Sequence, residues 1–106
     1  MLFARVIGNV VCTKKDEKLD GAKLLLVQPV DLEGNPKGTP LVAIDVVGAG
    51  EGELVLIVQG SSARQTKRTE GNPVDCTIFA IVDYIEKDGK IVFRKTEDYF
   101  AKVKKW

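Results

Sequence analysis

The chain has 106 residues, with 16 lysines and arginines against 15 aspartates and glutamates, for a net charge of +1. A length of this order supports one hydrophobic core, so residues 1–106 read as a single domain, and so balanced a charge gives no field to gather nucleic acid or an anionic membrane. Histidine is absent and there are 2 cysteines, which removes the usual general base and proton shuttle and leaves no ordinary ligand set for a metal.

The opening segment, MLFARVIGNVVCT, meets Arg5 early and lacks a long apolar run, so it predicts a strand over Leu2–Thr13 and not a leader peptide. Phe3, Arg5, Ile7, Asn9 and Val11 fall on one side of it. Ala4, Val6, Gly8, Val10 and Cys12 fall on the other, with Gly8 marking a bulge or a close approach. Lys14–Asp20 is a charged loop closed by Gly21. Ala22–Val30 predicts a second strand, in which Pro29 ends the pairing or lies at an edge. Asp31–Pro40 (DLEGNPKGTP) is dense in turn formers and predicts a loop.

Leu41–Val47 predicts a third strand and Glu53–Gln59 a fourth, separated by a glycine segment. Ser61–Gln65 predicts a short helix capped by Ser61 or Ser62, before the polar stretch Thr66–Pro73. Val74–Glu86 predicts one continuous fifth strand. Asp88-Gly89 then signals a type I′ hairpin into Ile91–Lys95, and Tyr99–Trp106 reads as a last strand or a short helix. Cys12 and Cys76 lie in strand-like apolar contexts and are expected as buried, reduced thiols. No run reaches the ~20 apolar residues of a membrane span. About five to seven strands with no amphipathic helix predict an all-β chain, a small closed barrel or a sandwich.

Four candidate roles present themselves. Gly48-Ala49-Gly50-Glu51-Gly52 has the spacing of a dinucleotide loop, but that loop must open a helix, whereas the strand ELVLIVQ follows here. No Gly-Lys-Ser/Thr ending is present, and Glu51 and Glu53 would repel a phosphate. Ser61 and Ser62 lack both the G-x-S-x-G pattern and a histidine to take the proton, so a cap with Arg64 at an interface fits better than a hydrolase elbow. Asp45, Asp75 and Asp83 lie on or beside apolar strands, where carboxylates do acid–base work or accept hydrogen bonds from loop amides; nothing in the sequence joins any two of them. A single-stranded nucleic-acid module needs aromatics among lysines and arginines, yet Phe79 and Tyr84 belong to an apolar strand and Phe3 and Phe93 stand alone.

The ordered motifs VIGNVVCTKK (Val6–Lys15), LDGAKLLLVQP (Leu19–Pro29), VAIDVVGAGEGE (Val42–Glu53), GSSAR (Gly60–Arg64) and VDCTIFAIVD (Val74–Asp83) resemble those of the bacterial microcompartment vertex proteins, pentameric shell proteins of carboxysomes and ethanolamine-utilisation-type metabolosomes. The resemblance runs from Met1 to about Asp83 and is less distinctive beyond. It implies an oligonucleotide-binding-like, closed five-stranded β-barrel with an extra hairpin and at most one short helix. It also implies a cytoplasmic shell location, no catalysis, no cofactor and no metal. The implied partners are four further copies in a homo-pentamer and the hexameric microcompartment shell proteins around it, with no nucleic acid and no membrane. Asp45, Gly48, Ala49, Gly50, Gly52, Glu53, Gly60, Ser61, Ser62, Ala63 and Arg64 match the family's characteristic motifs, and the resemblance places them at the subunit interface or the ring axis. A single-stranded nucleic-acid-binding barrel is the alternative, and a small hydrolase a more distant one.

Overall fold

The computed structural model describes residues 1–13, 17–19, 21–60, 75–95 and 99–100. Alternating apolar and polar residues set up the strands β1 (Leu2–Val10), β2 (Lys23–Pro29), β3 (Leu41–Asp45), β4 (Leu54–Gln59) and β5 (Cys76–Ile81). They close into a barrel in the order β1-β2-β3-β5-β4. All its pairings are antiparallel except β3 with β5. Closure removes free edges, which suits a barrel this small.

Inward side chains of every barrel strand meet in one core, including Ala4, Val6, Val27, Val55, Ile57 and Ile78, each buried to within 1%. Gly8 marks a bulge: the β1–β2 register shifts between Val6 and Gly8. A Cβ there would meet Leu26 Cβ at an ordinary 3.7 Å, so the glycine reflects the bulge and not a tight approach. β2 ends at Pro29, whose carbonyl accepts the Lys37 N–H. The Asp31–Pro40 loop begins with Asp31 Oδ1 accepting the amides of Glu33 and Asn35.

The strand expected over Val74–Glu86 is two strands in two sheets. β5 stops at Ile81, and the chain departs from the barrel wall at Val82-Asp83 to begin β6 (Tyr84–Lys87). The Val82 N–H still bonds to the Leu54 carbonyl, while the Asp83 carbonyl already accepts the Lys95 N–H, so the change of partner falls between them. β6 pairs with β7 (Lys90–Arg94), and β7 with β8 (Tyr99–Phe100), as a second sheet. Asp88 at φ 54° and Gly89 at φ 76° form the expected turn between β6 and β7. This sheet covers the barrel's outer wall, where Leu54, Val82 and Phe93 are buried together with Val30 and with Phe3 and Ile85 packed beside them.

A 3₁₀ turn, Glu17–Leu19, lies between β1 and β2. The short helix expected over Ser61–Gln65 lies outside the described residues, as does the chain beyond Phe100. Cys76 is buried and Cys12 is exposed just past the end of β1, so only one of the two thiols is enclosed as expected. Burial, with the Asp75 charge adding to it, pushes the Cys76 thiol up to about 11, which leaves it unreactive.

Replacing Ile57 by Ala should remove about 2–5 kcal/mol of stability, since the closed barrel wall cannot collapse onto the void. Urea unfolding read by circular dichroism would check this.

A braced turn across the barrel mouth

β3 and β4 are consecutive in the chain but lie on either side of β5 in the barrel. The connection must therefore cross the barrel's end, where its amides find no strand ladder and must be satisfied some other way. This connection is the glycine segment.

Charged side chains supply the partners. Asp45, at the end of β3, accepts the Val47 N–H at 3.0 Å on Oδ1 and the Ala49 N–H at 2.9 Å on Oδ2. Glu53, just before β4, accepts the Gly50 N–H at 2.8 Å on Oε1. From the other side, Lys23 Nζ donates to the Ala49 carbonyl at 2.7 Å and stands 3.6 Å from Asp45 Oδ2. Arg5 Nη1 donates to the Gly52 carbonyl. The backbone of β1 completes the hold, with Gly52 N–H on the Val6 carbonyl and Val6 N–H on the Glu53 carbonyl.

Arg5 follows from the pleat of β1. Ala4 and Val6 face the core, so Arg5 between them faces the outer wall under the second sheet, where it is only 1% exposed. Its guanidinium lies over the Phe93 ring at 5.9 Å. Lys95, following β7, bonds Glu53 Oε2 at 2.9 Å. That bond first, and the Gly50 amide after it, hold the Glu53 carboxyl below its ordinary value; the same bond raises Lys95.

Six of the residues expected at a site thus meet in one turn: Asp45, Gly48, Ala49, Gly50, Gly52 and Glu53. Their roles divide. Gly48 at φ +78° and Gly52 at φ +86° occupy the left-handed region, which explains glycine there without a neighbour. Gly50 has no positive φ, and a Cβ on it would meet only Glu53 Oε1, at 3.7 Å. Ala49 is wholly buried in the core of its own barrel, so its side chain plugs the mouth and has no surface to offer another copy. Asp45, with its side chain 1% exposed, likewise acts inward, as an acceptor for loop amides.

Gly60 lies apart from this turn. It follows the far end of β4, about 20 Å away at strand rise, where its N–H bonds the Asp75 carbonyl. Gly60 is therefore at the opposite end of β4 from the turn. Ser61, Ser62, Ala63 and Arg64 lie outside the described residues. Sequence reasoning missed Arg5, Lys23 and Lys95. The available signal for Arg5 was a cation in the middle of an apolar strand.

Other chemistry is sparse here. No group of three or more Cys, Asp or Glu residues that could hold a metal ion occurs among the described residues. A mainly apolar groove of about 740 Å³ lies along Leu2, Phe3, Pro29, Leu32 and Val92, away from the turn. Of the aromatics judged unsuited to a nucleic-acid platform, Phe3, Phe79 and Phe93 pack into clusters and Tyr84 is 60% exposed.

These features define a small closed β-barrel protein whose distinctive element is a backbone turn braced by charge. The chain belongs to the family described as ethanolamine utilisation protein EutN/carboxysome, whose model matches residues 1–83. The bacterial microcompartment shell vertex protein EutN of Salmonella typhimurium is 50% identical over 95 residues, covering 90% of this chain and 96% of that protein. The solved structure of CcmL from Nostoc sp. superposes with a TM-score of 0.85 at 47% identity, over 89% of this chain and 99% of that one. The GrpN pentameric microcompartment shell protein from Rhodospirillum rubrum gives 0.75 at 42% identity, over 82% of this chain and 99% of that one.

Two measurements test the turn. Gly48→Ala should lower subunit stability by about 1 kcal/mol or more through backbone strain, whereas Gly50→Ala should leave it nearly unchanged. Because the folded Glu53 carboxyl lies below its ordinary value near 4.5, its contribution is full above that pH and is lost as pH falls through the folded value. The stability gap between the parent and Glu53→Gln, followed by urea unfolding across acid pH, should close on that descent.

Proposed function

We propose that this chain is a structural shell protein, forming a homo-pentamer that caps the vertices of a bacterial microcompartment in the cytoplasm. The observation that carries this reading is near-complete coverage, at 42% identity, of a solved chain titled a pentameric microcompartment shell protein. The need for such a ring is geometric: a sheet of hexagons closes into a polyhedron only with fivefold positions. Subunits of the ring join head to tail, and its outer edges meet hexameric shell proteins. The role requires no catalysis and no cofactor.

Two features of the subunit support it. The barrel wall carries exposed apolar side chains at Ile7 and Val42, 41% and 48% exposed, beside the half-buried Val10 and Leu26. A stripe of this kind suits burial against another copy. Gly50 is the second feature: its smallness is not demanded by its own backbone, so it serves an approach from outside. Gly48, Gly52 and Glu53 shape the turn that presents it, and the motif of Gly60, Ser61, Ser62, Ala63 and Arg64 supplies a further contact.

Native mass spectrometry should give a particle of five chains. Gly50→Val should keep the monomer's circular dichroism and abolish that particle; rings of unchanged mass would remove Gly50 from the contact. Coexpressed with a hexameric shell protein, the chain should yield closed polyhedra in electron micrographs, with open tubes or gapped shells in its absence. A monomer that binds oligonucleotides in a salt-sensitive way would support the nucleic-acid reading instead.

A further inference from the structure

We infer that Arg5 is a positioning residue for ring assembly, through which the C-terminal sheet sets the shape of the turn offered to a second copy of this chain. The inference rests on the pentamer reading above. The family match ends at residue 83, yet the segment beyond it reaches back to the turn. Phe93 lies against the Arg5 guanidinium, which donates to the Gly52 carbonyl, and Lys95 bonds Glu53, which holds the Gly50 amide.

Gly52 and Gly50 are thus each held by a charged side chain that β7 or the residue after it contacts. A buried guanidinium is expensive to desolvate, and an apolar residue of similar length could fill the same wall without that desolvation cost. Packing alone therefore does not call for arginine at position 5. Fixing the Gly52 carbonyl does, because a charge-assisted bond is stronger and more directional than a neutral one. Fixing that carbonyl sets the direction of the Gly52–Glu53 peptide, two residues beyond Gly50. Gly50 then meets a neighbouring copy already in place, so that association need not order it.

The test compares Arg5→Met, Arg5→Lys and Phe93→Leu in the full chain. Ring persistence is read by sedimentation on dilution, and the turn by amide exchange at Ala49, Gly50 and Gly52 in the dissociated subunit. Arg5→Met should raise the dissociation concentration about tenfold or more and speed turn exchange by a similar factor. Arg5→Lys should restore both to within about threefold, because it keeps the donor. Phe93→Leu should fall between the two.

Rings of Arg5→Met as persistent as the parent's, or Arg5→Lys as weak as Arg5→Met, would overturn the inference. Should Arg5→Met fail to fold, Phe93→Leu carries the test: parental ring persistence and parental turn exchange in it would refute the coupling. If the parent forms no ring, the vertex reading fails, and unchanged turn exchange in Arg5→Met would separately refute Arg5's hold on Gly52.

Discussion

A backbone crossing the mouth of a closed barrel has more amides and carbonyls than the neighbouring strand can receive: β1 meets only Gly52 and Glu53. The rest of this molecule depends on how that deficit is met. Asp45 and Glu53 accept the N–H groups of residues 47, 49 and 50, while Lys23 and Arg5 donate to the carbonyls of residues 49 and 52. Each contact is a hydrogen bond with one ionised partner, the kind that most firmly fixes geometry. All of these contacts lie within one subunit.

Sealing the barrel and presenting a surface are consequently done by the same eight residues. Ala49 turns inward to complete the core, and Gly50, one residue on, remains half-exposed. Left-handed glycines on either side make that reversal possible. The carboxylates of Asp45 and Glu53 act as backbone acceptors, which accounts for an acid at each end of a segment with the spacing of a nucleotide loop. The second sheet joins this arrangement through Phe93 and Lys95, so it braces the turn as well as covering the wall.

The strands were legible because apolar alternation, Pro29, the Asp31–Pro40 turn formers and Asp88-Gly89 act locally. The break at Val82-Asp83 was not, because VDCTIFAIVDYIE stays apolar while its hydrogen-bond partner changes from β4 to β7, a fact of tertiary position. Asp45 was legible as an acceptor for loop amides, one of two roles its apolar setting allowed. The glycine segment was legible as a place needing small residues, but its division of labour was not: Gly48 and Gly52 answer to φ and Ala49 to the core, while Gly50 answers to neither. Arg5 shows the limit most plainly. An arginine in an apolar strand signals something, but its partners at Gly52 and Phe93 lie 47 and 88 residues away in sequence.

The central claim is that the turn's form belongs to the lone subunit. Amide exchange of Ala49 and Gly50 in the parent chain, diluted until it is monomeric, tests this most directly. Protection of both well above that of exposed loop amides such as Gly38, with that of Gly50 sensitive to acid in step with Glu53, is the predicted result. Exchange of both amides at random-coil rates, with protection gained only in the assembled ring, would contradict it.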